Sequence, residues 1–241
     1  MAIKVGINGL GRIGRMVIRS LVENNNKRIE IKHVNSRSSA EVMASLLKYD
    51  SIHGKFDSEI KHGKNYLNIN GKRITFSQYS NLNEIKWKNI GVDYVFECTG
   101  KFNSKDKLIP HIKNGAKKII VSAPCKNADK TIVYGVNHKT INKNDLVISA
   151  ASCTTNCLAP VVYILNKEFK IETGFMTTVH SYTSDQRLLD NSHKDLRRAR
   201  SATQSMVPTS TGASKAIGEI IQDLKGKLQG LAIRVPTPNV S

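Results

Sequence analysis

Cys153 and His180 are the two side chains of this 241-residue chain best suited to covalent chemistry. Cys153 lies in Ala151-Ser152-Cys153-Thr154-Thr155-Asn156-Cys157. The apolar run Leu146–Ala150 before it reads as a buried strand, and Leu158–Leu165 after it has helical length. If Ser152 caps that helix, Cys153 lies in its first turn. There, unpaired N–H groups and the helix dipole stabilise an anion, so a thiol loses its proton more easily. The same helix start offers Ser152, Thr154 and backbone N–H groups to a phosphate or an oxyanion. Cys157, one turn on, is expected to point into the packing. The competing reading of Cys153 is a buried structural thiol. A thiol nucleophile needs a base, and His180, after the strand-like Gly174–Val179, is the chief candidate. A histidine near a strand end can equally be structural.

Several other stretches must position this chemistry. Ile3–Asn8 alternates like a strand, and Arg15–Val22 is a helical run. Between them Gly9-Leu10-Gly11-Arg12-Ile13-Gly14 forms G-x-G-x-x-G in the setting a dinucleotide site requires. Gly9 permits the turn, Gly11 lets the backbone approach a pyrophosphate, and Gly14 lets the helix pack on the strand. Arg12 and Ile13 then lie beside the pyrophosphate. A second strand, Ile29–Asn35, ends in Ser36-Arg37 instead of the acidic residue that grips the ribose 2′-hydroxyl of NAD. Ser36 can donate to a 2′-phosphate and Arg37 can pair with it, although both also suit an ordinary loop.

Ala40–Tyr49 reads as a helix, and Asn65–Ile69 with Lys72–Phe76 as a hairpin across Asn70-Gly71. Asp93–Cys98 reads as a buried strand ending at Thr99-Gly100-Lys101-Phe102. Ser104–Asn114 is helical. Lys118–Pro124, Thr131–Gly135 and Leu146–Ala150 complete a parallel sheet with right-handed crossovers. Thr211 and Gly212 precede a helix over Ser214–Leu224 and present a hydroxyl and an N–H to phosphate, or serve as a simple N-cap. Arg234 suits bidentate phosphate recognition, or is a surface arginine.

Lys+Arg total 37 against 19 Asp+Glu, a formal net charge of +18. This charge fits nucleic-acid binding, the attraction of anionic substrates, or a solvated lysine-rich surface. The basic residues are scattered without dense blocks or interleaved aromatics, which favours the solvated surface and argues against nucleic acid as the main partner. The four cysteines show no metal-ligand pairing with histidine, so no metal site is expected. No apolar run has the length of a membrane span, the N-terminus reads directly into a strand, and reduced thiols in the cytoplasm are the default.

Ala151–Cys157, Val5–Arg15, Thr177–Ala213 and Arg234–Ser241 together resemble the phosphorylating (type I) glyceraldehyde-3-phosphate dehydrogenase family, and the resemblance runs from Ala2 to the last residue. It implies an α/β protein: an N-terminal Rossmann-type doubly wound sheet over residues 1–150 and an α+β catalytic domain, incomplete here, over 151–241. The family continues for roughly another quarter of its length, so the chain reads as a fragment or truncated product without the asparagine that orients nicotinamide. By the same resemblance, Thr99 and Phe102 border the adenosine (Phe102 equally reads as plain packing) and Ser122 lies near the nicotinamide ribose. Attacking phosphate sits with Ser152, Thr154, Thr211 and Gly212, and the substrate's own phosphate with Thr183, Asp185 and Arg234.

The implied reaction is oxidative phosphorylation of glyceraldehyde 3-phosphate to 1,3-bisphosphoglycerate with NAD or NADP through a Cys153 thioester, a step of glycolysis and gluconeogenesis. Ser181–Thr203 is implied to be a long loop reaching a neighbouring subunit's cofactor site in a cytoplasmic homotetramer. Most members have Asn-Asp at the end of the second strand and Leu-Pro before His193. Ser36 and Ser192 depart from both and point to acceptance of NADP. The alternatives are an erythrose-4-phosphate dehydrogenase, a semialdehyde dehydrogenase (against which Thr183, Thr211 and Arg234 argue), and a basic nucleic-acid-binding protein on the same scaffold.

Overall fold

The computed structural model describes residues 2–241. The chain divides into two compact units, one running through Thr131 and resuming at 141–150, the other comprising 132–140 and 151–241.

The first unit is built on a 9-stranded sheet. Its strands are β1 (Ile3–Asn8), β2 (Ile29–Asn35), β5 (Ile60–Gly63), β6 (Tyr66–Ile69), β7 (Lys72–Ser77), β8 (Tyr94–Glu97), β9 (Lys118–Val121), β10 (Lys130–Thr131) and β11 (Val147–Ser149). The short β3 (Tyr49–Asp50) and β4 (Gly54–Lys55) form a separate ribbon. The sheet order is β10-β11-β9-β8-β1-β2-β7-β6-β5. Pairing is parallel from β10 to β7. Strands β5 to β7 pair antiparallel, β6 and β7 forming the hairpin expected across Asn70-Gly71. Asn70 and Gly71, at φ 50° and 82°, make the tight turn that Asn-Gly favours.

Helices α1 (Arg12–Glu23), α2 (Ala40–Lys48), α3 (Trp87–Ile90) and α4 (Lys105–Lys113) complete this unit. The main core joins Val5, Ile7, Val34, Leu47, Phe56 and Leu67. From β1 the chain builds outward to β2 on one side and later to β8 on the other. The carboxyl ends of β1 and β8 therefore flank the switch point at which doubly wound sheets hold ligands.

The second unit holds α5 (Cys153–Phe169), α6 (Ala213–Ile220) and the strands β12 (Gly174–Ser181), β13 (Val207–Thr209) and β14 (Leu228–Val235), ordered β12-β14-β13. The β12–β14 pair is parallel and β13–β14 antiparallel. Ala159, Val162, Ile217, Ile220 and Leu224 form its core together with Val133. This corrects the expected strand Thr131–Gly135: only Lys130 and Thr131 pair in the large sheet. Val133 is apolar because it packs against α5 and α6. The helix expected over 214–224 stops at Ile220, and Gln222–Leu224 continues as a 3₁₀ turn.

Candidate active site

Ser152 is the N-cap of α5, and its hydroxyl accepts the N–H of Thr155 at 3.0 Å. This leaves Cys153 as the first helical residue. Thr155, Ala159, Val162 and Asn166 form the buried stripe of the helix. Cys157 lies four residues from Cys153, on the same face, and is exposed. The expectation that it points into the packing is therefore wrong, because i and i+4 share a side of a helix. Ala151, just before the cap, is buried at φ +60°, a left-handed conformation that an L side chain adopts only under constraint.

β12 runs through His180 to Ser181, so the histidine sits at the end of the strand, and it is 5% exposed. Its Nε2 is 2.8 Å from Cys153 Sγ. Its Nδ1 is 2.7 Å from the Ser181 carbonyl, which can only accept. The ring proton therefore belongs on Nδ1, and Nε2 is left as an acceptor for the thiol. Burial lowers the His180 pKa below its usual value; the Ser181 carbonyl works the other way, and the charges of Arg234 and Arg198 add to the lowering. The imidazole is thus held neutral and ready to take a proton. By contrast, burial pushes the Cys98 thiol up to about 11 and also raises Cys125.

In the parallel register His180 stands opposite Arg234. Arg234 Nη1 donates to the Ser181 carbonyl at 3.1 Å and to Thr183 Oγ1 at 3.2 Å, while its buried Nε has no partner among the described residues. Asp185 does not join this pair directly. It binds Arg198 Nη1 at 2.6 Å and lies 3.5 Å from His193 Nε2. Arg198 also donates from Nε and Nη2 to Thr209 Oγ1, at 3.1 and 2.8 Å. Arg198, whose charge bears on His180, is the residue of this cluster that the sequence did not single out. It sits in a loop without periodicity, and only the β13–β14 pairing reveals its bond to Thr209.

Gly212 is the N-cap of α6 with no side-chain cap, and Thr211 Oγ1 accepts the N–H of Ala213 at 3.2 Å. The Thr154 hydroxyl is 3.4 Å from that of Ser241. Ser192 is exposed, and its carbonyl accepts two bonds from Arg187, at 2.9 and 2.7 Å.

In the first unit, Gly11 caps α1 without a side-chain bond, leaving the first N–H groups of the helix free for an anion. A Cβ on Gly14 would lie 2.1 Å from the Gly9 carbonyl oxygen, and Gly9 has φ +97° against Thr99. A Cβ on Gly11 would meet nothing within 4 Å, so the backbone there is open to a phosphate. These features fit a dinucleotide.

Arg12 is ion-paired with Asp50. Burial pushes the Asp50 carboxyl up, but the His53 N–H, the Arg12 guanidinium and the Ile52 N–H together hold it well below the usual carboxylate range. Ile13 is exposed. Ser36 is buried at the end of β2 while Arg37 is exposed. The Ser122 N–H bonds the Glu97 carbonyl at 3.0 Å. Phe102 is half-buried against two apolar clusters, which supplies the packing that the sequence left as an alternative.

Two family models match. Residues 3–105 match the NAD binding domain of glyceraldehyde 3-phosphate dehydrogenase, and residues 152–241 match its C-terminal domain. Among curated relatives, the glyceraldehyde-3-phosphate dehydrogenase of Geobacillus stearothermophilus is 53% identical over 242 residues, covering all of this chain and 72% of the relative. The Cereibacter sphaeroides enzyme of that name is 52% identical over 241 residues, with the same coverage. Glyceraldehyde-3-phosphate dehydrogenase 2 of Bacillus subtilis is 52% identical over 242 residues, covering all of this chain and 71% of the relative. With two domain models and whole-chain identity of about half, the chain belongs to the glyceraldehyde-3-phosphate dehydrogenase family.

Proposed function

We propose that the protein oxidises glyceraldehyde 3-phosphate to 1,3-bisphosphoglycerate with NAD as a glycolytic dehydrogenase, using Cys153 as nucleophile and His180 as base. The observation that carries this reading is the 2.8 Å contact between Cys153 Sγ and a His180 Nε2 whose role as acceptor is fixed by the Ser181 carbonyl. His180 takes the thiol proton as sulfur attacks the aldehyde carbon. It returns that proton to the oxygen, giving a hemithioacetal. The backbone N–H groups opening α5 hold the developing oxyanion. When bound, the nicotinamide supplies the acceptor for the hydride. As the hydride leaves, His180 takes the hydroxyl proton again and a thioester remains on Cys153. Inorganic phosphate then attacks the thioester carbonyl, and the thiolate leaves and is reprotonated.

Arg234 and Thr183 suit the substrate phosphate, since guanidinium and hydroxyl already converge at 3.2 Å. Asp185 orients Arg198 from behind. Ser152, Thr154, Thr211 and Gly212 lie at the starts of two helices, which suits the attacking phosphate. In the first unit Gly9, Gly11, Arg12, Ile13 and Gly14 hold the pyrophosphate, with Thr99, Phe102 and Ser122 along the rest of the coenzyme. The two domains of this reading are residues 1–150 and 151–241, although 132–140 pack within the second unit.

NADP is accepted as well in this proposal. The supporting observation is an exposed Arg37 beside Ser36, with no carboxylate at the end of β2 to repel a 2′-phosphate. Ser192 belongs to the same reading only through assembly of a homotetramer, in which the Ser181–Thr203 loop of one subunit reaches the site of the next. Four free cysteines suit a cytoplasmic setting. The erythrose-4-phosphate and nucleic-acid alternatives are not favoured by relatives that all carry the glyceraldehyde-3-phosphate dehydrogenase name. Initial rates with NAD and NADP, on glyceraldehyde 3-phosphate and erythrose 4-phosphate at equal concentration, test these points. The three-carbon substrate is expected to be preferred, with NADP supporting turnover. In Ser36→Asp, NADP use is expected to fall about tenfold or more relative to NAD. Preference for the four-carbon aldehyde, or no turnover with NADP, would contradict the corresponding claim.

A further inference from the structure

We infer that Glu97 is a positioning residue for the dinucleotide site, an inference that rests on the reading of the first unit as the coenzyme domain. Glu97 ends β8 and is 1% exposed. Its Oε1 accepts the backbone N–H of Thr99 at 2.8 Å and the Thr99 hydroxyl. Its Oε2 accepts Asn8 Nδ2 at 2.6 Å and lies 3.2 Å from His111 Nε2. The Nδ1 of His111 accepts from Trp87 Nε1 at 2.9 Å, which puts the ring proton on Nε2 and makes that nitrogen a donor to Glu97. Four donors converge on one side chain. A carboxylate satisfies them all; a glutamine amide of the same shape would turn its NH₂ toward one pair of them.

The chain of bonds continues past Asn8. Asn35 Nδ2 donates to Asn8 Oδ1 at 2.8 Å, and Asn35 Oδ1 accepts the Tyr79 N–H at 2.9 Å and the Ser77 hydroxyl at 2.8 Å. Asn8, Asn35 and Glu97 are the last residues of β1, β2 and β8. Immediately beyond them come Gly9, Ser36 and, one residue later, Thr99. One buried network therefore locks the three strand ends from which the coenzyme-facing turns depart. The two turns approach closely: a Cβ on Gly9 would lie 2.7 Å from the Thr99 nitrogen. Burying a carboxylate without a cationic partner is costly, and a strut that only stabilised the fold would be better served by apolar packing.

The test compares Glu97→Gln with the unmutated protein by calorimetric titration with NAD, alongside a urea unfolding curve followed by Trp87, the chain's single tryptophan. Expected is at least about a tenfold rise in Kd of the folded protein, in the range that loss of a bond to a charged group produces. The KM for NAD is expected to rise in parallel, with kcat at saturating NAD unchanged within about threefold. An unchanged Kd, whatever happens to the urea midpoint, overturns the inference and leaves a purely structural strut. If the unmutated protein itself fails to bind NAD, the coenzyme-domain reading fails instead. Should Glu97→Gln not fold, Asn8→Ala, which removes one donor to the carboxylate, serves the same test: a Kd raised severalfold supports the lock, and an unchanged Kd overturns it.

Discussion

At the scale of single residues, the proposed chemistry rests on one sulfur–nitrogen contact and on what surrounds the imidazole. Replacing Cys153 by Ser is expected to lower kcat/KM at least about a thousandfold, because a serine hydroxyl does not ionise at neutral pH as a thiol can. The thermal midpoint should stay near that of the parent, since the side chain is exposed. His180→Asn is expected to cost about a hundredfold to ten-thousandfold, the span of a lost general base. Burial and two arginines lower the His180 pKa, so the base keeps its neutral form to a lower pH than an ordinary histidine. The acidic limb of the kcat/KM profile due to His180 is therefore expected below pH 6.5, the ordinary histidine value. Arg198→Ala removes one of the lowering charges along with the anchor on Asp185 and Thr209. It should move that limb toward higher pH and raise KM for the phosphate-bearing substrate.

Among the elements, the turn between β1 and α1 tolerates least. Gly14→Ala would drive a Cβ to 2.1 Å from the Gly9 carbonyl, a backbone atom that cannot yield cheaply. A loss of about 1–3 kcal/mol in a urea unfolding curve is expected, with weaker NAD binding. In β2, His33 is 4% exposed, with its ring nitrogens 2.8 Å from the hydroxyls of Thr75 and Ser77, and burial pushes its pKa down to about 4. The fold prefers the neutral ring, so the unfolded chain binds more protons between that value and the ordinary 6.5. This contribution is complete above about pH 6.5 and declines as pH falls toward 4, by about 3 kcal/mol in all. His33→Gln should flatten stability over that window, as read from urea midpoints at a series of pH values.

The sequence announced the glycine turn because each glycine has a backbone duty that no other residue performs, and it announced β12 and α5 through apolar pattern and cap. Three features were hidden. The face on which Cys157 lies follows from the buried stripe of α5, which other elements define. Val133 looks like sheet because it is apolar, yet its partners are two helices far along the chain. Arg198 is one arginine among many until β13 pairs with β14.

For the whole molecule, a net charge of +18 gathers anions. The kcat/KM for glyceraldehyde 3-phosphate should therefore fall as salt rises from low ionic strength, where the Debye length is about 30 Å, toward physiological values near 8 Å. Most of that loss is expected in KM, and a rate indifferent to salt would leave the charge with a role in solubility alone. The chain aligns along its whole length with relatives of which it spans 71–72%. The most direct test of the central claim is the time course of NADH formation when glyceraldehyde 3-phosphate is mixed with protein and NAD, first without and then with inorganic phosphate. A Cys153 thioester predicts a rapid burst that approaches one NADH per active site and stalls until phosphate is added, then steady turnover. Full turnover without phosphate, or a burst that persists in Cys153→Ser, would contradict it.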